Sequence, residues 1–354
     1  MKCFYAMDNV LRMDDSYLFV SLYNNRIYRI LDENLSVESV SQIPFSFNNG
    51  YMEYSKIYAW NNKLFILPWF SDSIAIYDIS KNVYRFIKLN EECRGLRYLK
   101  AYQDNERLFL IPCENKDIAI VDMRTEKIEE NVKIRVKKEN EKKVIAWCEI
   151  CGDEENITIP QVYDGGLIKY NYKKNQISYV ENRIRKINGL CGICDTNGGR
   201  WYIPRKADII YFEKGDVIKE FSEFPKGYIA GDISFYKIVP DTNRVFLLPR
   251  DANMLLIVNE DGTIQRLKNI KTDMKSDIER YMYFSNVWKM WDRWFCVESS
   301  SGNIYEISND NNLVPKFFIE RGSYKNNVDI RGVLEENPYH EYSLENFISS
   351  IVGE

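Results

Sequence analysis

Histidine is nearly missing from this chain: one residue, His340, serves all 354, and it lies in the C-terminal tail. A Ser-His-Asp or Cys-His apparatus would have to borrow that residue, and a multi-histidine metal centre is impossible. Most hydrolase mechanisms are thereby disfavoured, while carboxylate-only or Tyr/Lys/Arg chemistry survives. An excess of one charge is missing too. Lys plus Arg number 48 against 52 Asp plus Glu, and a net charge of -4 offers no long-range attraction to nucleic acid or anionic lipid. No apolar run approaches the length of a membrane span. The start, "MKCFYAMDNVLRMDD", lacks the apolar stretch of a secretory signal before Asp8 and Arg12. The expectation is a soluble cytoplasmic protein whose eight cysteines are reduced thiols rather than a disulfide framework. No nucleotide-binding glycine loop is visible, and no cofactor is implied.

Aromatic residues, by contrast, are abundant: 25 Tyr, 18 Phe and 7 Trp supply strand formers and material for a large core. Five apolar runs end on proline: "KLFILP", "RLFLIP", "NITIP", "GRWYIP" and "RVFLLP". The prolines, Pro68, Pro112, Pro160, Pro204 and Pro249, are separated by 44, 48, 44 and 45 residues. Weaker copies flank them, with Val20 and Val297 placed at the equivalent point, each 48 residues from the nearest of these five prolines. Seven units result, atypical at both ends as repeat arrays are.

Each unit parses into four short strands. In the second unit they are "KIYAW", "KLFILP", "SIAIYDI" and "VYRFIKL", joined by turns at Asn61-Asn62, Ser71-Asp72 and Ser80-Lys81-Asn82. The second strand is apolar almost throughout, so both its faces are expected to be buried between neighbouring units. Proline has no N–H for a ladder bond, and it marks where that strand stops pairing. Four strands in a unit of about 45 residues specify an all-β fold, a seven-bladed β-propeller. The blades are assigned to 1–322, with a tail over 323–354.

The segment "IYDISKNVYRFIKL" resembles the third and fourth strands of Kelch repeats in Tyr77-Asp78, Asn82 and Tyr84. The Gly-Gly doublet of that family is replaced by proline and a variable residue. The resemblance implies a propeller and leaves function open.

Several constellations invite chemistry. "CEICG" and "CGICD" hold Cys148, Cys151, Cys191 and Cys194 in two C-x-x-C pairs, the pattern of a four-cysteine metal site. Both pairs lie on the innermost strand of consecutive units, where strand alternation sends residues three apart to opposite faces. The expectation is therefore no metal and small buried thiols. Asp72, Asp117, Asp164 and Asp208 recur just before the third strand, and this repetition favours a turn-forming role over a cation site. The residue after the proline varies instead: Ser21, Trp69, Cys113, Gln161, Arg205, Arg250 and Glu298. Variable residues on a constant frame can carry recognition. Trp69, Gln161, Arg205, Arg250 and Glu298 are the candidate ligand-binding residues, with Arg205 and Arg250 as a possible anion clamp. No catalytic residue stands out.

Three segments fall outside the repeat. "IRVKKENEKKV" (134–144) reads as a solvated hairpin, and 272–284 carries helical spacing. "YSLENFISSIVGE" has an apolar stripe at Leu344, Phe347, Ile348, Ile351 and Val352, specifying a short amphipathic helix over about 343–352. Its face would dock on the propeller or on a partner. The leading functional expectation is a non-enzymatic module recognising a protein or peptide at the channel mouth. The alternative is an enzyme or carbohydrate-binding protein acting on a small anionic or glycan ligand at the same face, with Arg205, Arg250 and Glu298 holding it and Trp69 stacking on it.

Overall fold

The computed structural model describes residues 7–318 except 23–24, 32–36, 45–52, 70, 90–97, 99, 113–116, 135–148, 164, 185–186, 271–282 and 300–301. Seven four-stranded antiparallel sheets follow one another along the chain, each with its strands in sequence order. The first blade comprises Leu11–Met13, Ser16–Ser21, Arg26–Ile30 and Val37–Gln42, and the second Tyr54–Trp60, Lys63–Pro68, Ser73–Asp78 and Val83–Lys88. Strands A to D denote this order in every blade. The seventh ends with Leu313–Phe318. The fold is the seven-bladed propeller that the repeat specifies. The 343–352 helix, the 272–282 segment and most of the charged 134–144 stretch lie outside the described residues.

Both faces of strand B are buried, as its unbroken apolar run requires. In the second blade Leu64 and Ile66 pack toward the first blade, while Phe65 and Leu67 pack toward the third. The same division recurs around the ring. Seven apolar clusters form, each shared by two neighbouring blades. Such packing replaces a single central core with a chain of interfaces. Strand D is the exposed edge: in Val83–Lys88 only Ile87 is buried, and charged residues such as Arg85 and Lys88 discourage edge-to-edge pairing.

The turn chemistry is local and repeated. Asn61, Asn82, Asn105 and Asn175 have φ of 52°, 54°, 49° and 51°, the left-handed region that asparagine tolerates best after glycine. Tyr77 and Tyr170 donate their hydroxyls to Asn82 and Asn175 at 2.8 and 3.1 Å. Asp78 and Asp122 accept backbone N–H bonds from the turn that follows them. These contacts give the Tyr77-Asp78 and Asn82 pattern a structural job in closing the C–D hairpin.

Among the described residues no strand is exchanged between the first and last blades. The ring closes by packing: Met7, Tyr17, Phe19 and Ile30 bury against Trp288, Met290, Phe295, Val297 and Ile304. Among the described residues two hydrogen bonds cross this seam, from the Met7 N–H to Ser285 Oγ at 3.1 Å and from the Trp291 N–H to the Tyr17 hydroxyl at 3.4 Å.

Strand register corrects the repeat phasing at both ends. Tyr54 pairs with Pro68, Leu190 with Pro204 and Phe235 with Pro249, and in the same way Phe284 pairs with Glu298. Glu298, not Val297, therefore occupies the proline position of the seventh blade. Ser21, not Val20, ends strand B of the first. Both units had lost the proline that marks the phase, and apolar neighbours concealed the offset of one.

Candidate functional site at the mouth of the central channel

The innermost strands carry a recurring irregularity. In the second, fifth, sixth and seventh blades the A–B register shifts between Tyr54 and Ile57, Leu190 and Gly192, Phe235 and Lys237, and Phe284 and Asn286. A bulge inserts one residue and re-aims the side chains beside it. Lys56, Gly192, Lys237 and Asn286 all stand at this point, twelve residues before Pro68, Pro204, Pro249 and Glu298. Lys100 stands twelve before Pro112.

These positions build a buried ionic cluster. Lys56 Nζ lies 3.5 Å from Asp8 Oδ2, Lys237 Nζ lies 3.3 Å from Asp8 Oδ1, and Lys100 Nζ donates to Glu149 Oε2 at 2.7 Å. Lys237 also donates to the Asp8 carbonyl. Asp8 directly precedes the first blade, and the other four residues come from the second, third, fourth and sixth. Side chains from so many blades can meet only on the propeller axis. Because the start of strand A pairs with the end of strand B, the cluster lies just inside the face where the B–C turns emerge. Tyr58 and Tyr236 border it, donating to the carbonyls of Ala101 and Phe284.

Electrostatics binds the five charges into one unit. Burial pushes the Asp8 carboxyl up, but Lys56, Lys237 and Lys100 outweigh it and hold the group below the usual carboxylate range. Glu149 is held low in the same way, Lys100 contributing most among the lysines. Burial lowers Lys237 to about 8 against the pull of Asp8, with Lys56 and Lys100 repelling its charge. Stability should respond to pH accordingly. Between about 8 and the ordinary lysine value of 10.5 the unfolded chain holds a proton that the fold has released, so this group makes stability rise with pH there. Above about pH 10 the half-buried Tyr58 and Tyr236, whose pKa values are raised chiefly by desolvation, act in the opposite sense. Denaturant unfolding from about pH 7.5 to about pH 9.5 should show wild type gaining on Lys237→Met. Parallel profiles would refute the assignment.

At the surrounding mouth, the B–C turns share one backbone frame. The N–H of Trp69, Arg205, Arg250 and Ser299 bonds the carbonyl of Glu53, Gly189, Ser234 and Tyr283, respectively, at 2.6 to 2.9 Å. The residue after the proline position is therefore Ser299 in the last blade, and Glu298 sits one place earlier. Glu298 accepts from Tyr305 at 3.1 Å and lies 3.5 Å from Lys268, a grouping between the sixth and seventh blades. Arg205 and Arg250 are neighbours: the Ser234 N–H bonds the Arg205 carbonyl, and the Ser234 carbonyl accepts from Arg250. Each guanidinium already faces a carboxylate, Arg205 with Asp232 at 3.5 Å and Arg250 with Asp251 at 3.8 Å. Arg205 also lies over the Tyr163 ring at 5.1 Å. Gln161 is buried one blade earlier, its carbonyl accepting from the Leu190 N–H. Cys113 lies outside the described residues.

The Cys191–Cys194 pair does not follow the expected strand alternation. The bulge after Leu190 breaks the alternation, so Cys191 and Cys194 bury on one face, in the cluster shared with the sixth blade, while Leu190 and Ile193 take the other. Burial raises both thiols, Cys191 to about 12, and the Cys191 thiol donates to the Arg205 carbonyl at 3.3 Å. Among the described residues no three His, Cys, Asp or Glu gather in a metal-binding group; Cys148 is not among them. Asp72 accepts from the Ser73 hydroxyl at 2.7 Å at the head of strand C, a turn contact.

The fold is that of a seven-bladed β-propeller. No family model and no curated relative matches the sequence. Solved structures share the fold. Virginiamycin B lyase from Staphylococcus aureus aligns with TM-score 0.60 at 10% identity over 84% of this chain and 92% of that one. Hsv2 from Kluyveromyces lactis aligns with TM-score 0.54 at 10% identity, over 86% and 96%. The extracellular domain of a hybrid two-component system from B. thetaiotaomicron aligns with TM-score 0.58 at 15% identity, over 89% of this chain and 41% of that one. These neighbours are not specific to Kelch proteins and include an enzyme.

Proposed function

We propose that this chain is a non-enzymatic recognition module whose channel-mouth face takes a protein or peptide segment. The observation that carries the reading is the constant backbone frame of the B–C turns, which bears unlike, partly exposed side chains at Trp69, Arg205 and Arg250 and a buried one at Ser299. Tryptophan and arginine are the residue types that dominate interface energetics. Beside them stand exposed apolar groups, Tyr163 under the Arg205 guanidinium and Ile229 on the linker before the sixth blade. The Ile229 N–H bonds the Asn253 side chain, which fixes that linker on the neighbouring B–C turn. A rigid, mixed aromatic and cationic surface suits a peptide bearing an acidic and an apolar residue. The alternative set of Arg205, Arg250 and Glu298 is weakened by the attachment of Glu298 to Lys268 and Tyr305. Lyase chemistry is not transferred either. A catalytically inactive form of virginiamycin B lyase is a histidine-to-alanine variant, and the single histidine here is His340, in the tail.

Selection of a displayed peptide library on the folded chain tests the reading. Arg205→Ala should weaken a selected peptide about ten- to a hundredfold, through loss of about 1.5–3 kcal/mol, without changing stability by more than about 0.5 kcal/mol. Ile229→Asp should abolish binding of its apolar residue. Peptides indifferent to both changes would overturn the assignment of this face. A parallel thermal-shift screen of phosphates, sugar acids and dicarboxylates decides against it from the other side: stabilisation lost in Arg205→Ala/Arg250→Ala would move the reading to a small anionic ligand.

A further inference from the structure

The axial cluster contains three lysines and two carboxylates. We infer that Lys56, Lys100 and Lys237, with Asn286, form a binding site for one small monoanion on the propeller axis, separate from the peptide-binding surface proposed for the mouth. Among the described residues, Asp8 and Glu149 are the carboxylates paired with these lysines, and at neutral pH they leave one positive charge uncompensated in a place where Lys56, Lys100 and Lys237 retain only 7%, 5% and 9% of their side-chain exposure. An isolated buried charge is expensive, and a single negative charge placed among the ammonium groups removes the excess.

An ammonium has three N–H groups. Among the described residues Lys100 Nζ finds one acceptor, Glu149 Oε2 at 2.7 Å, and Lys56 has one ionic neighbour, Asp8 at 3.5 Å. At the corresponding bulge of the seventh blade stands Asn286, 3% exposed and without a side-chain hydrogen bond to any described residue. Its amide can donate but adds no charge. Ammonium and amide donors in excess of acceptors, gathered from four blades, specify an acceptor-only guest. Formate, acetate, chloride and nitrate share this chemistry: one negative charge, small size and no obligatory donor. Divalent anions would overcompensate the cluster and reverse the sign of its excess.

The test follows from treating Lys56→Met as a covalent substitute for the anion. Removing one lysine brings the count to two against two, and Asp8 keeps Lys237 as its partner. Thermal unfolding is measured in acetate, formate, nitrate or chloride against sulfate at matched ionic strength. Wild type should gain Tm with monoanion concentration and saturate, as binding to the folded state alone requires. Lys56→Met should unfold at or above the wild-type temperature in sulfate and lose the monoanion response. Arg205→Ala, outside the cluster, should keep it. If Lys56→Met does not fold, Lys100→Met serves in its place, since it also removes one positive charge. A wild type that unfolds at the same temperature in every anion, or a lysine variant that responds as wild type does, overturns the site.

Discussion

Asp8→Asn is expected to destabilise the protein by about 3–5 kcal/mol, the usual cost of removing one partner from a buried ionic group. The substitution preserves shape and the backbone carbonyl that Lys237 uses, so packing alone would predict a small effect. Charge predicts a large one. Without Asp8, Lys56 and Lys237 lose their nearest carboxylate and three buried ammonium groups share Glu149. The double variant Asp8→Asn/Lys237→Met should recover much of the loss, because it restores the single-charge excess of wild type. Urea unfolding of the four proteins in this cycle gives the coupling energy directly. A loss below about 1 kcal/mol for Asp8→Asn would show that the axial charges are solvated well enough to act independently.

The repeat period and strand composition made the fold legible. Strand B was readable because its apolar run is buried on both sides, and the prolines marked its end in five units. Where proline is absent, at Ser21 and Glu298, the repeat phase read from apolar neighbours is off by one residue. The frame of the B–C turns was also readable, as constant positions with variable occupants. The axial cluster was missed, although its signal was present. Lys56, Lys100 and Lys237 interrupt apolar strands at one distance from the proline, and an internal lysine at a fixed repeat position is a stronger sign than any single motif. What concealed it was the bulge. Simple alternation predicts which face each residue takes, and a one-residue insertion changes that on the innermost strands. The same insertion overturned the expected division of Cys191 and Cys194. Bulges are set by pairing between strands, so they are not visible in the residue pattern of one strand alone.

Phe19→Ala is expected to cost about 3–5 kcal/mol, as truncation of a fully buried phenylalanine does. Phe65→Ala, at the interface of the second and third blades, should cost about as much. The two should differ in what they open. Phe19 lies in the seam where the first blade meets Trp288, Phe295 and Val297 of the seventh. The second and third blades stay tethered by their linker when their contact loosens, and this keeps the entropy gained on separation small. Blades one and seven are joined by no short linker and, among the described residues, by no shared strand, so the seam releases a far longer loop when it parts. In a ring of nearest-neighbour interfaces, opening should therefore begin at the seam. Hydrogen exchange provides the measurement. Phe19→Ala should accelerate exchange across strands A and B of both the first and seventh blades together, with the hydrogen bonds from Met7 and Trp291 lost in the same event. Phe65→Ala should accelerate exchange near its own interface and also at the seam, because weakening any link lowers the cost of opening the ring at its least tethered point. Equal and purely local acceleration in both variants would mean that packing, without a covalent tether, closes the ring as firmly as any other interface.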